Sequence, residues 1–421
     1  MKYITCLCLA ALVSGQELEK INLEKAVDTA LKNNPRAGID SLYSQAAGEA
    51  ASQVKSGLYP TIVANTAAVG ATQDARMSAF GGINNPTVFS RLAFGTTVNQ
   101  LVTDFGRTRK LVDSASLRAQ SQKELVQVTR SQIVLSVYRA YVAALRSRAL
   151  LRVAQQTIEA RQLVVDQVTA LMESKLKSQL DVSFAQVNLS EAKMFLAEAR
   201  NQFESALADL SAAMGYNSPR KFDLADLDAP PAAPSNDFIA SAWRSRPELS
   251  ALRLEREASA KFAAAEHGLR NPTVAAVGAA GVAPVHDERL KNNYAAAGVT
   301  VSIPVFNGHL FSAREREATY RLQAVEQRVK ELENIIAREV TIAALAVNTA
   351  YEHLDLSAQL VKQADLALDL AQERYKLGLS SIVELSQAQL NKTSAEIRQA
   401  SSRYEVLTQL AGLRYQTGEL K

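Results

Sequence analysis

The fold of this chain is decided by two similar stretches, ESKLKSQLDVSFAQ at residues 173–186 and RYKLGLSSIVELSQAQ at residues 374–389. Each follows a long run of sequence in which apolar residues recur at helical spacing, and each leads into a second such run. Both stretches place a serine before an acidic residue and end on alanine and glutamine. The pattern predicts a tight turn between two antiparallel helices, used twice in one chain.

The turns carry residues that suit helix ends. Gly378 is the residue type that adopts the left-handed conformation after a helix, and Ser380 or Ser381 suits the cap of the next helix. In the first turn Lys177 takes the place of the glycine, so this turn is expected to be tighter or more strained. Ser178 is available to cap the helix that follows.

The helices on either side of the turns are predicted to be very long. Residues 107–214 and 309–377 contain neither proline nor glycine. Proline costs a helix interior about 3 kcal/mol and glycine about 1 kcal/mol, so their absence favours unbroken helices. At 1.5 Å per residue, residues 309–377 would extend roughly 100 Å, several times the width of an ordinary domain. The long helices are predicted at 106–175, 178–214, 308–377 and 380–418.

The chain is two copies of one unit. Pro35 and Pro60 recur 212 positions later in similar local sequence, whereas from Asp104 onward, and in both turns, the offset is 203. The two copies therefore differ in length at one place only, between Pro60 and Asp104 of the first copy. We predict a first repeat at 16–214, a proline-rich connector at 215–237 and a second repeat at 238–421. Each repeat reads as helix, strand, strand, long helix, turn and helix.

The β-like sequence lies in the part of each repeat where the offset between the two copies changes from 212 to 203 residues. We place these strands at about 61–72, 90–102, 273–283 and 293–305. Each has about the length that a tilted strand needs to cross a bilayer. Because the alternation of polar and apolar residues is imperfect, ordinary hairpins on a helical bundle are the alternative. The length of the hairpins and the length change near their tips favour membrane strands.

Four such strands in one chain have a consequence for assembly. They leave two open sheet edges, which do not persist in lipid. Two chains would form an eight-stranded barrel filled by its own side chains, so a water-filled passage needs at least three chains and twelve strands.

The N-terminus resembles an export signal. In residues 1–15 a lysine precedes an apolar stretch and a small-residue cleavage site, which predicts a signal peptide; a buried first helix is the alternative. Cys6 and Cys8 are the only cysteines, so the mature chain would have no disulfide and no thiol chemistry. No run of eighteen apolar residues follows, so no transmembrane helix is predicted.

Composition and motifs argue against several functions. The chain has 47 basic and 43 acidic residues without a basic run of five, which argues against a nucleic-acid partner. The histidines lack metal-site spacing, and neither a nucleophile elbow nor a phosphate-binding loop occurs. We therefore expect no enzyme, no cofactor and no resident metal. The four histidines are His267, His286, His309 and His353.

The repeated unit, the two turns and the phrase SIPVFNGH at 302–309 resemble the TolC-like outer membrane efflux family. The resemblance covers essentially the whole mature chain and is most specific in the second turn. It implies a mainly helical protein with a membrane β-barrel: a homotrimer whose 12-stranded barrel in the outer membrane lipid continues as a periplasmic α-helical barrel. It further implies an exit duct of a tripartite efflux pump or a type I secretion system. The implied partners are a periplasmic adaptor and an inner-membrane transporter.

The resemblance also implies roles for single residues. Glu384 corresponds to an acidic residue at the narrow periplasmic entrance, and Gln387 stands where the family has a second carboxylate. Asp181 and Tyr375 correspond to residues that hold the entrance shut, whereas Ser380 replaces their basic partner. The hairpin tips that would meet the adaptor are Leu176, Lys177, Ser178, Leu377, Gly378, Leu379 and Ser381.

With one acid per protomer at the entrance, weaker cation block and weaker pH sensitivity are expected than in relatives with two. Exchanging Glu384 for glutamine is then expected to remove most of the cation preference. Simple helix capping is the alternative role for Asp181 and Glu384. For the whole chain, the alternative is a periplasmic coiled-coil adaptor or structural protein, which also carries long helical hairpins but lacks strands of membrane length.

Overall fold

The computed structural model describes residues 19–70, 90–231, 237–286 and 291–420. The fold is mainly helical, as predicted. The helices are α1 (Leu23–Asn33), α2 (Pro35–Ser56), α3 (Arg107–Glu173), α4 (Gln179–Ala213), α5 (Phe238–Ser245), α6 (Pro247–His267), α7 (Leu310–Lys376) and α8 (Ile382–Gln416). The strands are β1 (Glu19–Ile21), β2 (Thr61–Val69), β3 (Arg91–Thr103), β4 (Phe222–Leu224), β5 (Thr273–Val285) and β6 (Asn293–Ser302).

The helices occur as matched pairs. α3 and α7 contain 67 residues each, and α4 and α8 contain 35 each. The ends of these four helices differ from the predicted bounds by one or two residues, because the capping residues lie outside the helices proper. Within the described residues, no helix has an apolar stretch sufficient to cross a bilayer.

Each repeat begins with two helices, where the sequence predicted one. α1 gives way to α2 at Pro35, and α5 gives way to α6 at Pro247. The residues before these prolines are extended, with ψ of 120° at Asn34 and 122° at Arg246. Proline clashes with a helical residue before it but is well suited to the first position of a helix. The chain therefore breaks and restarts at each proline.

The chain forms two compact units, each made of separated segments. Unit 1 contains residues 19–38, 128–246 and 336–420, and unit 2 contains residues 39–127 and 247–335. The largest apolar cluster of unit 1 surrounds Tyr141, which is fully buried.

Unit 1 contains a two-stranded parallel sheet in which β1 pairs with β4. The hydroxyl of Tyr141 lies 3.0 Å from the carbonyl oxygen of Ile21 and 2.7 Å from that of Ala225, so one side chain contacts the ends of both strands. The connector predicted at 215–237 thus contains a strand. Three-residue strands are too short to show the alternation by which strands are recognised in sequence.

Two glycines follow α4 and α8. They allow the ends of these helices to lie close to the break between α1 and α2 and the break between α5 and α6. Gly215 has a φ of 81° and Gly418 a φ of 76°. A Cβ on Gly215 would lie 2.8 Å from the carbonyl carbon of Asn33, and a Cβ on Gly418 would lie 2.7 Å from that of Ser245. Both the left-handed conformation and the close backbone approach require glycine. The two contacts occupy equivalent places in the two repeats.

Unit 2 contains a four-stranded antiparallel sheet in the order β2–β3–β5–β6. Each repeat contributes one hairpin, and β3 pairs with β5 to join the hairpins. The outer strands are β2 and β6. In the described part of the chain, neither has a strand on its outer side.

The strand register gives this sheet two different faces. One face carries most of the large apolar side chains, namely Ile62, Leu92, Phe94, Val98, Val274, Val282, Val299 and Val301, together with the polar Thr66, Thr96, Gln100 and Asn293. The opposite face carries most of the polar ones, namely Thr61, Asn65, Arg91, Thr97, Asn99, Thr273, Tyr294, Thr300 and Ser302, together with the apolar Val63, Val69, Leu101 and Val277. The pairing reveals a two-sided sheet that the strand sequences taken singly did not show.

Some strand bounds differ from the prediction. β6 ends at Ser302 instead of 305, because Pro304 has no amide to donate to the ladder. β5 continues to Val285, beyond the predicted 283. The predicted end of β2 at 72 and the predicted signal peptide at 1–15 lie outside the described residues.

A buried carboxylate ties three helices of unit 2 together. Glu266, near the end of α6, is 2% exposed. Arg314 of α7 donates to its Oε1 at 3.0 Å and holds Nε 2.7 Å from Oε2. Arg107, the first residue of α3, has its guanidinium 4.0 Å from the same carboxylate. A buried charge needs such partners, so this cluster fixes the ends of α6, α3 and α7.

Candidate functional site

The two predicted turns form the tips of two helical hairpins in unit 1. Residues 174–178 join α3 to α4, and residues 377–381 join α7 to α8. Beneath the tips, one apolar cluster that includes Tyr375 takes residues from all four helices. Nδ2 of Asn188 on α4 also donates to Oγ of Ser386 on α8 at 2.7 Å. The two tips are therefore held side by side.

The second tip ends α7 with a Schellman-type cap. The amide of Gly378 donates to the carbonyl of Tyr375 at 3.1 Å, and the amide of Leu379 donates to the carbonyl of Arg374 at 2.8 Å. Gly378 has a φ of 72°. Gly378 is therefore the left-handed residue that ends the helix.

The first tip uses the same cap with a lysine in the left-handed position. The amide of Leu176 donates to the carbonyl of Leu171 at 2.9 Å, and Lys175 has a φ of 61°. The prediction that Lys177 replaces the glycine is wrong, because Lys175 is the residue at an offset of 203 from Gly378. A left-handed residue with a Cβ is strained by about 1–2 kcal/mol. The expected strain is present, two residues earlier than predicted.

A capping box begins α4. Oγ of Ser178 accepts from the amide of Asp181 at 3.3 Å, and Oδ2 of Asp181 accepts from the amide of Ser178 at 2.9 Å and from its hydroxyl at 2.7 Å. The hydroxyl bond is the main cause that lowers the pKa of the Asp181 carboxyl, against an opposing effect of burial. The capping role left open for Asp181 is therefore present.

Glu384 holds the equivalent place in α8 but uses its carboxylate differently. Its amide donates to Oγ of Ser381 at 3.4 Å, while Oε1 lies 3.2 Å from Nε of Arg374. Gln387 donates to Oδ1 of Asn391 at 3.0 Å. Sequence reasoning missed Arg374. The available signal was a basic residue on the last turn of one helix, facing an acid on the first turn of the next.

Tyr375 lies between the two hairpins. It is 5% exposed, and its hydroxyl has no hydrogen-bond partner among the described residues. Nζ of Lys177, from the other tip, lies 4.1 Å from its ring centroid, a cation–π contact. Burial raises the pKa of Tyr375, and the negative charge of Asp181 raises it further. Oγ of Ser380 is also buried without a partner in the described chain.

Both tips expose leucines. Leu176, Leu377 and Leu379 are 70%, 71% and 67% exposed. Leu180 and Val383, on the first turns of α4 and α8, are also exposed. We call these five residues the tip patch. Exposed apolar side chains clustered on two adjoining turns mark an interaction surface.

A cavity of about 590 Å³ opens between α3, α7 and α8 in unit 1. Arg161 lines it, is 7% exposed and donates to Oε1 of Gln389, so it links α3 to α8. Burial lowers the pKa of this guanidinium. Sequence reasoning did not find this link, which has no local pattern. The described residues contain no group of acidic, histidine or cysteine side chains that could hold a metal ion.

Exchanging Lys175 for glycine is expected to stabilise the first tip by about 1 kcal/mol, because glycine adopts the left-handed conformation without steric strain. Gly378→Lys should destabilise the second tip by a similar amount. Hydrogen exchange at the amides of Leu176 and Leu379 measures both changes, since these amides donate the cap hydrogen bonds. Lys177→Gly is the control and should not slow exchange at Leu176. Unchanged exchange in the Lys175 and Gly378 variants would contradict the assigned strain.

Comparison with known proteins gives consistent matches. A family model described as "Outer membrane efflux protein" matches residues 26–216 and 238–419. The outer membrane efflux protein BepC of Brucella suis biovar 1 is 22% identical over 328 residues, covering 77% of this chain and 72% of the relative. The outer membrane protein TolC of Escherichia coli K12 is 21% identical over 354 residues, covering 78% and 72%. The cobalt-zinc-cadmium resistance protein CzcC of Cupriavidus metallidurans is 25% identical over 297 residues, covering 66% and 67%.

Solved structures share the fold. The outer-membrane channel OprN superposes with a TM-score of 0.83 at 18% identity, covering 94% of this chain and 89% of that chain. CusC, which forms a transmembrane channel, superposes with a TM-score of 0.82 at 16% identity, covering 95% of this chain and 93% of that chain. Since the family model spans both repeats, the chain belongs to the outer membrane efflux protein family.

Proposed function

We propose that this protein is the outer membrane exit duct of a tripartite efflux pump. It would receive substrates from a periplasmic adaptor and an inner-membrane transporter and pass them across the periplasm and the outer membrane. The family supports an outer membrane location. The relatives BepC and CzcC are an efflux protein and a metal resistance protein, which favours a pump over a type I secretion system.

The single observation that carries this proposal is the four-stranded sheet, whose outer edges have no strand partner within the part of the chain that the structure describes. In lipid the backbone groups on β2 and β6 would have no water to bind, so another chain must pair with them. Three chains supply twelve strands, which closes a barrel wide enough for a water-filled passage. We therefore propose a homotrimer with a 12-stranded β-barrel.

The two faces of the sheet support the same assembly. In a closed barrel the face with Ile62 and Val299 would meet lipid, and the face with Asn65 and Thr300 would line the water-filled interior. The long helices of three chains would continue the passage as an α-helical barrel. The alternative left open by the sequence is a periplasmic adaptor. Such a protein lies in water, where an apolar sheet face of this kind would be unfavourably exposed.

The hairpin tips supply the proposed contacts with the adaptor. The tip patch offers apolar side chains, and Lys177, Ser178, Gly378 and Ser381 complete the surface around it. Beneath the patch, the cation–π contact between Tyr375 and Lys177 of the other tip would help to hold the two hairpins together. Asp181 supports it through the capping box, and Ser380 supplies no charge.

Cysteine cross-linking tests the closed trimer. One cysteine replaces Ile62 in β2, and a second replaces Ala297, Val299 or Val301 in β6, each in a separate double variant. Because β6 of one protomer would lie beside β2 of the next, oxidation should link chains into covalent dimers and trimers in at least one register. The products are read as a ladder on a denaturing gel without reductant.

Matched pairs control for chance contacts. Thr97→Cys with Ala279→Cys lies on facing residues of β3 and β5 within one chain and should give no ladder. Each single variant should stop at a dimer or remain a monomer. If no register between β2 and β6 yields a covalent trimer in outer membranes, the proposed barrel is wrong.

A further inference from the structure

The hairpin tips contain equal numbers of acidic and basic residues. Residues 173–181 and 373–384 together carry four of each: Glu173, Asp181, Glu373 and Glu384, with Lys175, Lys177, Arg374 and Lys376. By itself, the family resemblance implies that Glu384 is an unpaired carboxylate at the periplasmic entrance. The structure gives this carboxylate a partner.

Three of the four acids are engaged within the chain. Glu384 lies 3.2 Å from Arg374, which belongs to the other helix of the same hairpin. Glu373 pairs with Lys376 at 2.7 Å on the same helix. Asp181 accepts the two hydrogen bonds of its capping box. Of these contacts, the ion pair of Glu384 with Arg374 is the one that joins the two helices across the turn.

We propose that Arg374 sets the charge selectivity of the duct entrance by neutralising Glu384. The inference rests on the proposed function, in which the long helices form the duct; the hairpin tips, at the adaptor end of this duct, would surround its periplasmic entrance. An adjacent pair of opposite charges has a field that falls off faster than that of one charge, and beyond about 10 Å salt screens what remains. The three glutamates of a trimer would then present little net charge to a passing ion. Such an entrance admits anionic cargo as readily as cationic cargo.

The geometry of the pair supports this role. A guanidinium presents its N–H donors in a planar fork that matches a carboxylate. Both side chains are about half exposed, so the pair adds little to stability. Removing Arg374 should therefore change the field at the entrance without unfolding the tip.

Reversal potentials in planar bilayers test the proposal, measured for the purified full-length trimer in a gradient of potassium chloride. The unaltered protein should discriminate weakly between potassium and chloride. Arg374→Gln should raise the permeability ratio of potassium to chloride at least about threefold, because it unmasks one glutamate per protomer. Glu384→Gln should shift the ratio toward chloride, and the double variant should return close to the unaltered protein.

Lys376→Gln is the matched control, since it removes one positive charge from the neighbouring pair. A smaller shift than that of Arg374→Gln supports the assignment; an equal shift would show that only total charge matters and would overturn it. An unaltered channel with strong cation preference that Arg374→Gln leaves unchanged would also overturn it, while the exit duct stands. If the unaltered protein forms no channel, the proposed function itself fails.

Discussion

Exchanging Glu266 for glutamine is expected to destabilise the protein by about 2 kcal/mol, because the change removes the charge from a buried carboxylate that accepts a hydrogen bond from Arg314. The carboxylate is 2% exposed and contacts two guanidinium groups from two other helices. Urea unfolding of the detergent-solubilised protein, followed by circular dichroism, measures the loss.

Glu255→Gln provides the control on the same helix. Glu255 pairs with Arg118 at 3.7 Å, and both side chains are more than one third exposed. Exposed pairs of this kind contribute about 0–1 kcal/mol, so the loss should be small. Equal losses for the two variants would mean that burial of Glu266 has no special effect, which would refute the prediction.

Gly215→Ala and Gly418→Ala are each expected to destabilise unit 1 by about 3 kcal/mol. The left-handed backbone accounts for about 1–2 kcal/mol, and displacing the backbone of the helix break opposite accounts for a similar amount. The added methyl group would otherwise lie 2.8 Å from the carbonyl carbon of Asn33 or 2.7 Å from that of Ser245. The same unfolding measurement applies to both variants.

Gly48→Ala is the opposite case. Gly48 lies within α2, and a Cβ there would meet no atom within 4 Å. Alanine should therefore stabilise the helix by about 0.5–1 kcal/mol. If Gly215→Ala behaved like Gly48→Ala, the close approach of α4 to the break between α1 and α2 would be refuted.

Much of the fold was predictable because its signals are local. Long helices need an absence of proline and glycine, and their ends need residues such as Gly378 and Ser381, all of which are visible in the sequence. The repeat offset then located the strands. The twelve predicted site residues all lie at or just beyond the two hairpin tips, although their roles in docking and closure are still proposals.

The remainder depends on spatial relations that a sequence does not display. β1 and β4 are three residues long and are far apart in the chain. Arg374 meets Glu384 only because the turn brings the ends of two helices together. The left-handed conformation of Lys175 was not predictable, because this position of a helix end favours glycine and lysine carries no such signal.

The pairing of β1 with β4 has a consequence for biogenesis. Glu19 pairs with Phe222, and the same core includes Leu407, close to the end of the chain. Contacts so distant in sequence form slowly, and incomplete chains expose apolar surface meanwhile. A polypeptide that emerges from a translocation pore amino-terminus first therefore cannot complete this core until Leu407 has been delivered. The protein is thus expected to depend on chaperones that keep the emerging polypeptide unfolded, and truncated products should be degraded instead of accumulating.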